Sequence, residues 1–132
     1  MPSSETKQLI RKAFAALTDF QNAAEDVAGF ISDDYVQIVD GKQLDRRGFV
    51  EHVLALRSHL SSLEIDIERI VADDVSAATV HLVTATRRTG ETSTIKVVAF
   101  YEIRDGKIAL IDELSRVVHG SEEDHELGSI QG

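Results

Sequence analysis

Up to about residue 60 the apolar positions recur every three to four residues; beyond it they alternate with polar ones. Leu9, Ile10, Ala13, Phe14 and Leu17 fall on one side of a helical wheel, which predicts an amphipathic helix over 4–18 with one buried face. A shorter helix is expected over 23–31, with Asn22 as N-cap, Val27, Phe30 and Ile31 inward, and Ser32, Asp33 and Asp34 ending it. Residues 35–39 read as a short strand that Asp40-Gly41 turns into a second over 42–44. Asp45 then offers an N-cap for a third helix reaching about residue 60, on which Phe49, Val53, Leu56 and Leu60 share a face.

The change of period decides the fold class. Leu63, Ile65 and Ile67 alternate with Glu64, Asp66 and Glu68 until the phase slips at Arg69-Ile70, where a bulge or bend is expected. Further strands are predicted over 77–86, 94–103 and 108–118, the last two joined by a hairpin at Asp105-Gly106. Helices first and a meander afterwards predict an α+β fold in place of alternating βαβ units. Its form is three N-terminal helices packed on a strongly curved antiparallel sheet, an α+β cone. One domain is expected over 1–118, and 119–132 reads as an acidic, polar C-terminal tail, mobile unless a partner pins it.

Composition narrows the chemistry. The 132 residues carry a formal charge of −9. Glu122, Glu123, Asp124 and Glu126 supply −4 of it, which leaves −5 for the rest. A chain this acidic lacks the basic stripe that phosphate backbones require, so no nucleic-acid partner is expected. The longest wholly apolar run, 97–101, is far short of the ~20 residues a spanning helix needs, so no membrane role is expected either. The first residues carry no apolar core of the kind a secretory signal requires, and a cytoplasmic location follows. There is no cysteine, hence no disulfide, thiolate metal site or thiol nucleophile. The five histidines have no metal-site spacing, and no phosphate loop, dinucleotide fingerprint or nucleophile elbow occurs. Neither a metal nor a cofactor is expected.

A sheet bent around helices leaves a hollow, and a ligand site there needs an apolar lining with a few aimed polar groups. Ile95, Val97, Ala99, Tyr101 and Ile103 point one way on their strand and form the inner face. Val98 and Phe100 point the other way and suit packing against a second subunit. Ala109, Ile111, Glu113, Ser115 and Val117 share a face of the last strand, where desolvation would favour a neutral Glu113 able to donate or shuttle a proton. The opposite face, with Leu110, Asp112, Leu114 and Arg116, is equally amphipathic, so periodicity leaves the orientation open. Tyr35 and Gln37 share a strand face and bring a phenol and an amide, with Asp40 following at the turn. His52 lies beside the buried stripe of the third helix and His81 faces with Thr79 and Val83; either serves as an acid, a base or a core residue. The candidate catalytic set is therefore Glu113, Tyr35 and Asp40, and the ligand-binding set Gln37, His52, Tyr101, His81, Val97, Ala99 and Ile111.

The run Phe30-Ile31-Ser32-Asp33-Asp34-Tyr35-Val36-Gln37, the helix opened by Arg47-Gly48-Phe49, and Tyr101-Glu102-Ile103-Arg104-Asp105-Gly106-Lys107-Ile108 resemble the SnoaL-like branch of the nuclear transport factor 2-like superfamily. The resemblance spans residues 5–118. It implies a cone-shaped domain, often a homodimer through the outer sheet face, among relatives that include polyketide cyclases, ketosteroid isomerase, limonene-epoxide hydrolase, scytalone dehydratase and non-catalytic binders. By the same resemblance, Tyr35 and Gln37 match a Tyr-x-Gln stretch, and Glu113 stands where the cyclases tend to have an acid/base aspartate. Ile38 and Ile111 replace histidines common in SnoaL-like chains. Ala99 stands near the isomerase's oxyanion-hole acid and Val39 or Asp40 near its base, so steroid isomerase activity is disfavoured. Two functions remain open. One is a cofactor-free cyclase, isomerase or hydratase acting on a small apolar or carbonyl-containing ligand, with Glu113 moving the proton and Tyr35 and Gln37 holding the oxygen. The other is a non-catalytic binding or dimerisation module.

Overall fold

The computed structural model describes residues 2–120, 127, 129 and 130. Two helices do most of the covering of the sheet. The first, α1 (Ser3–Thr18), turns Ile10 and Thr6 inward, and the Thr18 hydroxyl donates back to the Phe14 carbonyl at 3.0 Å near its end. After the short helix α2 (Ala24–Val27), described below, the second long helix, α3 (Arg46–His59), begins where Asp45 Oδ1 accepts from the Gly48 N–H at 2.8 Å. That is the capping bond expected of an aspartate at this position.

The segment between them differs from the sequence expectation. α2 is a single turn that passes into a 3₁₀ turn, Ala28–Phe30, instead of continuing to residue 31. Gly29, a poor helix former, sits in that tightened turn. The N-cap is Ala23; Asn22 instead donates its side-chain amide to the Ala16 carbonyl at 3.3 Å. Ser32, Asp33 and Asp34 do not end a helix but lie in the first strand, β1 (Ile31–Val39). There Asp34 accepts from the Ser32 hydroxyl at 2.8 Å and from Arg104 at 2.6 Å, so this polar run is satisfied within extended chain.

The remaining strands are β2 (Lys42–Asp45), β3 (Leu60–Ala72), β4 (Ser76–Arg87), β5 (Thr92–Arg104) and β6 (Lys107–His119). They form one six-stranded sheet in the order β2-β1-β6-β5-β4-β3. The α+β class is as expected, with one difference in pairing. β6 leaves its hairpin running parallel to β1, so the sheet is mixed and not wholly antiparallel. Nor is it strongly curled. Irregularity is taken up at register shifts, one of them between Ile67 and Arg69, where the alternation slips. Both tight turns pair an aspartate with a glycine at positive φ: Asp40 and Gly41 at 51° and 86°, Asp105 and Gly106 at 53° and 74°. Such pairs match the twist of the strands they join.

The helices pack on the inner sheet face, where Ile95, Val97, Ala99, Tyr101 and Ile103 are all buried. Outside, Val98 and Phe100 are 54% and 44% exposed. The stretch read as a polar tail is partly packed: Leu127 is buried in the core, and the Ile130 carbonyl meets His52 Nδ1 at 2.8 Å. These two apolar residues gain by covering apolar surface, which a charge count alone conceals. The acidic positions 122–124 and 126 lie outside the described residues. Replacing the helix cap, Asp45→Ala, is expected to cost about 1 kcal/mol in urea unfolding, because one amide at the start of α3 loses its partner.

Candidate functional site

α1 and α3 stand off the sheet and leave a cavity of about 130 Å³ between them. This is slightly less than the volume, about 150 Å³, of an apolar cavity that holds benzene, so a single small ring is the upper limit of what the space takes without movement of its walls. Phe14 and Leu17 come from α1 and Phe49, His52 and Leu56 from α3, while β5 supplies Val97 and Tyr101. Leu127 closes one side. The polar lining comes from Gln37, His52, His81, Tyr101, Glu113 and Ser115, with no lysine or arginine among the lining side chains.

Register places these groups. Residues directly opposite across strands share a face, and diagonal neighbours lie about 7–8 Å apart. Val39, Glu113, Ala99 and Thr79 form one row across β1, β6, β5 and β4. Gln37, Ile111, Tyr101 and Ala77 form the row on one side, and Ser115, Val97 and His81 the row on the other. Glu113 therefore points inward, which resolves the orientation that periodicity left open, and Gln37 and Tyr101 flank it diagonally.

Two hydrogen-bonded groups result. In the first, the Tyr35 hydroxyl donates to Gln37 Oε1 at 2.9 Å, and Gln37 Nε2 donates to Glu113 Oε1 at 2.8 Å. The phenol thereby fixes which end of the amide faces the carboxyl group. Burial pushes the Glu113 carboxyl up to about 7; the Gln37 bond works against this, and the negative charges of Asp40 and Asp112 add to it. In the second group, Thr79 Oγ1 lies 2.7 Å from the Tyr101 hydroxyl and 2.9 Å from His81 Nδ1. Burial pushes His81 down to about 4, so it is neutral at pH 7, and raises Tyr101 above its ordinary value, keeping the phenol protonated. The Phe14 ring packs on both, with centroids 4.9 Å from His81 and 6.4 Å from Tyr101.

His52 is also held neutral by burial. Since a carbonyl only accepts, the bond to Ile130 puts the His52 proton on Nδ1 and leaves Nε2 as an acceptor. Among the described residues, no three histidine or carboxylate groups gather as a metal site.

Of the expected set, the structure brings Gln37, His52, His81, Val97, Tyr101, Ile111 and Glu113 to one cavity. Tyr35, Asp40 and Ala99 are not lining side chains. Tyr35 is buried behind Gln37, its ring 5.6 Å from Phe49, and it reaches the site only through the amide. Asp40 is occupied elsewhere: its carboxylate accepts from the Ser115 N–H at 2.7 Å and from the Ser115 hydroxyl, and its own N–H donates to the Glu113 carbonyl at 3.0 Å. It ties β1 to β6 and acts on Glu113 through its charge. Ala99 is buried and pairs directly with Glu113 across β5 and β6.

Thr79 is a centre of contact outside the expected set, and its place on the face of His81 was the available signal. Leu127 carried no such signal.

The SnoaL-like domain model matches residues 10–111. This chain belongs to the SnoaL-like family. An uncharacterized Schizosaccharomyces pombe protein is 47% identical over 129 residues, covering 98% of this chain and 99% of its own length. Among solved structures, an LEH-like epoxide hydrolase of M. tuberculosis superposes with a TM-score of 0.75 at 19% identity, over 86% of this chain and 84% of its own. AclR of Streptomyces galilaeus does so with a TM-score of 0.77 at 18% identity, over 98% and 89%. At such identities these two structures speak for the fold alone.

The cavity of this SnoaL-like chain makes its stability depend on pH. Glu113 holds its proton more tightly folded than unfolded, so the folded state binds more protons between about pH 4.5 and 7. Stability should therefore fall as pH rises through that window, by on the order of 3 kcal/mol from this group. Denaturant unfolding of wild type against Glu113→Gln at both ends of the window measures it: the difference between the two proteins should change in favour of the variant at high pH.

Proposed function

We propose that the protein is a cofactor-independent acid/base enzyme acting on a small neutral carbonyl compound, with Glu113 as the group that moves the proton. The observation that carries this reading is a carboxyl group lining an apolar cavity, held through Gln37 and raised to about 7. A base poised near the working pH balances availability against driving force. Ionised Glu113 takes a proton from the carbon next to the carbonyl, and the resulting acid returns it to the same or a neighbouring carbon, so no other reactant is consumed. Returned to carbon, the proton completes an isomerisation. In a cyclase the α-carbon instead bonds to a second carbonyl carbon of the same molecule and the proton goes to that oxygen; in a hydratase running toward dehydration the β-hydroxyl takes the proton and leaves as water.

The site departs from the first expectation in one respect. Tyr35 donates its one proton to Gln37 and does not line the cavity, so it positions the base and does not hold the ligand oxygen, while Gln37 positions the base through one N–H of its amide. The similarity in fold to an epoxide hydrolase supports a small-molecule cavity in this scaffold. No helix among the described residues is long and apolar enough to cross a membrane. A cytoplasmic protein is proposed, paired as a homodimer through the outer sheet face, where Val98, Phe100 and Leu114 are exposed.

Cyclohexanone tests the chemistry. In D₂O near pH 7 the wild type should accelerate exchange of its α-protons, read by proton NMR, and Glu113→Gln should slow this by roughly 100-fold while leaving affinity in place. Absence of acceleration over buffer would sink the enzymatic reading; binding without exchange would leave the second one, a ligand-binding module. Phe100→Glu should convert the dimer to a monomer in light scattering, since a charge at the centre of that face must be desolvated on pairing.

A further inference from the structure

The relay of Thr79, Tyr101 and His81 is not used by the chemistry assigned to Glu113, yet two of its members line the same cavity. A threonine hydroxyl has a single proton. Thr79 is 2% exposed and makes two hydrogen bonds, so the stable arrangement has it donate one and accept the other; accepting both would leave its proton buried without a partner. Its two neighbours are thereby coupled. Either Tyr101 donates to Thr79 and Thr79 to His81 Nδ1, or His81 Nδ1–H donates to Thr79 and Thr79 to the Tyr101 oxygen. In the first arrangement the phenol proton is spent inside the relay. In the second it is free for the cavity. The two forms differ only in hydroxyl rotation and in the tautomer of a neutral imidazole, so neither needs a buried charge.

We propose that Tyr101, set by Thr79 and His81, is the group that holds the carbonyl oxygen of the ligand, and that this selects neutral, single-ring-sized ketones over hydrocarbons of the same shape. The proposal rests on the cavity reading above and deepens it. Tyr101 and Glu113 are diagonal cross-strand neighbours, and Ala99 stands between Glu113 and Thr79 in the same cross-strand row. The roughly 7–8 Å between such positions lets one small molecule meet both side chains, its oxygen at the phenol and its α-carbon at the carboxylate. A ketone only accepts, so holding it at the phenol selects the arrangement in which His81 carries its proton on Nδ1, whereas a ketone held by His81 itself would select the Nε2–H form. No proton leaves Tyr101. The phenol strengthens its bond to the oxygen as charge develops there.

Cyclohexanone and methylenecyclohexane, alike in shape but with and without the oxygen, separate this role from packing. Tyr101→Phe should weaken cyclohexanone roughly tenfold, the loss of about one buried hydrogen bond, and leave methylenecyclohexane unchanged. Thr79→Val, which keeps the phenol and removes only the hydroxyl that orients it, should weaken cyclohexanone less than Tyr101→Phe does, and Thr79→Ser should leave it unchanged. In ¹⁵N NMR of the histidine rings, cyclohexanone should move His81 toward the Nδ1–H tautomer in the wild type and not in Thr79→Val. Equal weakening of both compounds by Tyr101→Phe, or a His81 tautomer that ignores the ketone, would overturn the relay while leaving the cavity reading standing. Failure of both compounds to bind the wild type would overturn both.

Discussion

The carboxyl group of Glu113 loses most of its water when the sheet closes against α1 and α3, and one side-chain hydrogen bond, from Gln37, partly offsets that loss. An isolated buried carboxylate costs several kcal/mol, so the group answers by holding its proton to about neutral pH. Everything else in the cavity is consistent with that state. No lysine or arginine lines it, His52 and His81 are both kept neutral by burial, and the charges nearest Glu113, on Asp40 and Asp112, oppose its ionisation. An arginine in the lining would have drawn the carboxyl group back toward its ordinary range.

The cost of this arrangement is spread through the fold. Tyr35 is buried to orient one amide, Asp40 uses its carboxylate to hold β6 beside β1, and the C-terminal Ile130 carbonyl fixes the tautomer of His52. Each of these acts at a distance from the cavity space, yet each determines which atoms face it. Bonding groups on separate strands into one site depends on register, because a slip of one residue would turn Glu113 outward with Asp112 or Leu114 in its place. Asp40, by bonding Ser115 and the Glu113 carbonyl across the parallel pairing, pins the register at the place where it matters.

The architecture was legible because period is a direct record of burial. The switch from helical spacing to alternation separated α1 and α3 from the sheet, Asp45 marked the start of α3, and the inner face of β5 followed from its pleat. Period carries no such information about which strand lies beside which, so the parallel contact between β1 and β6 was not visible. Short polar runs were ambiguous for a related reason: Ser32, Asp33 and Asp34 stop a helix as readily as they enter a strand, and Asp34 is satisfied by Ser32 together with Arg104, seventy residues away. The site followed the same division. Glu113, Gln37, His52, His81 and Tyr101 stood out as polar residues on or beside apolar faces, whereas Thr79 as a hub and Asp40 as a clamp depend on partners in other strands.

The same balance of charges and burial sets the kind of molecule the cavity favours. An anion would meet a protonatable carboxyl group and no cation, so it would give up its hydration without compensation. A cation would gain an ion pair with ionised Glu113, but both charges would then have to be desolvated in a mostly apolar space, and such pairs often fail to recover that expense. A neutral ketone asks for far less: its ring replaces water against Phe14, Phe49 and Leu56, and its one acceptor needs one donor. Of the donors in the lining, the His52 proton is already committed to Ile130, and Gln37 uses one amide N–H on Glu113. On the proposed reading, Tyr101 sits beside Glu113 with a proton that the Thr79 rotation and the His81 tautomer change together free, so a carbonyl oxygen and the carbon next to it would find their partners on one face of one sheet.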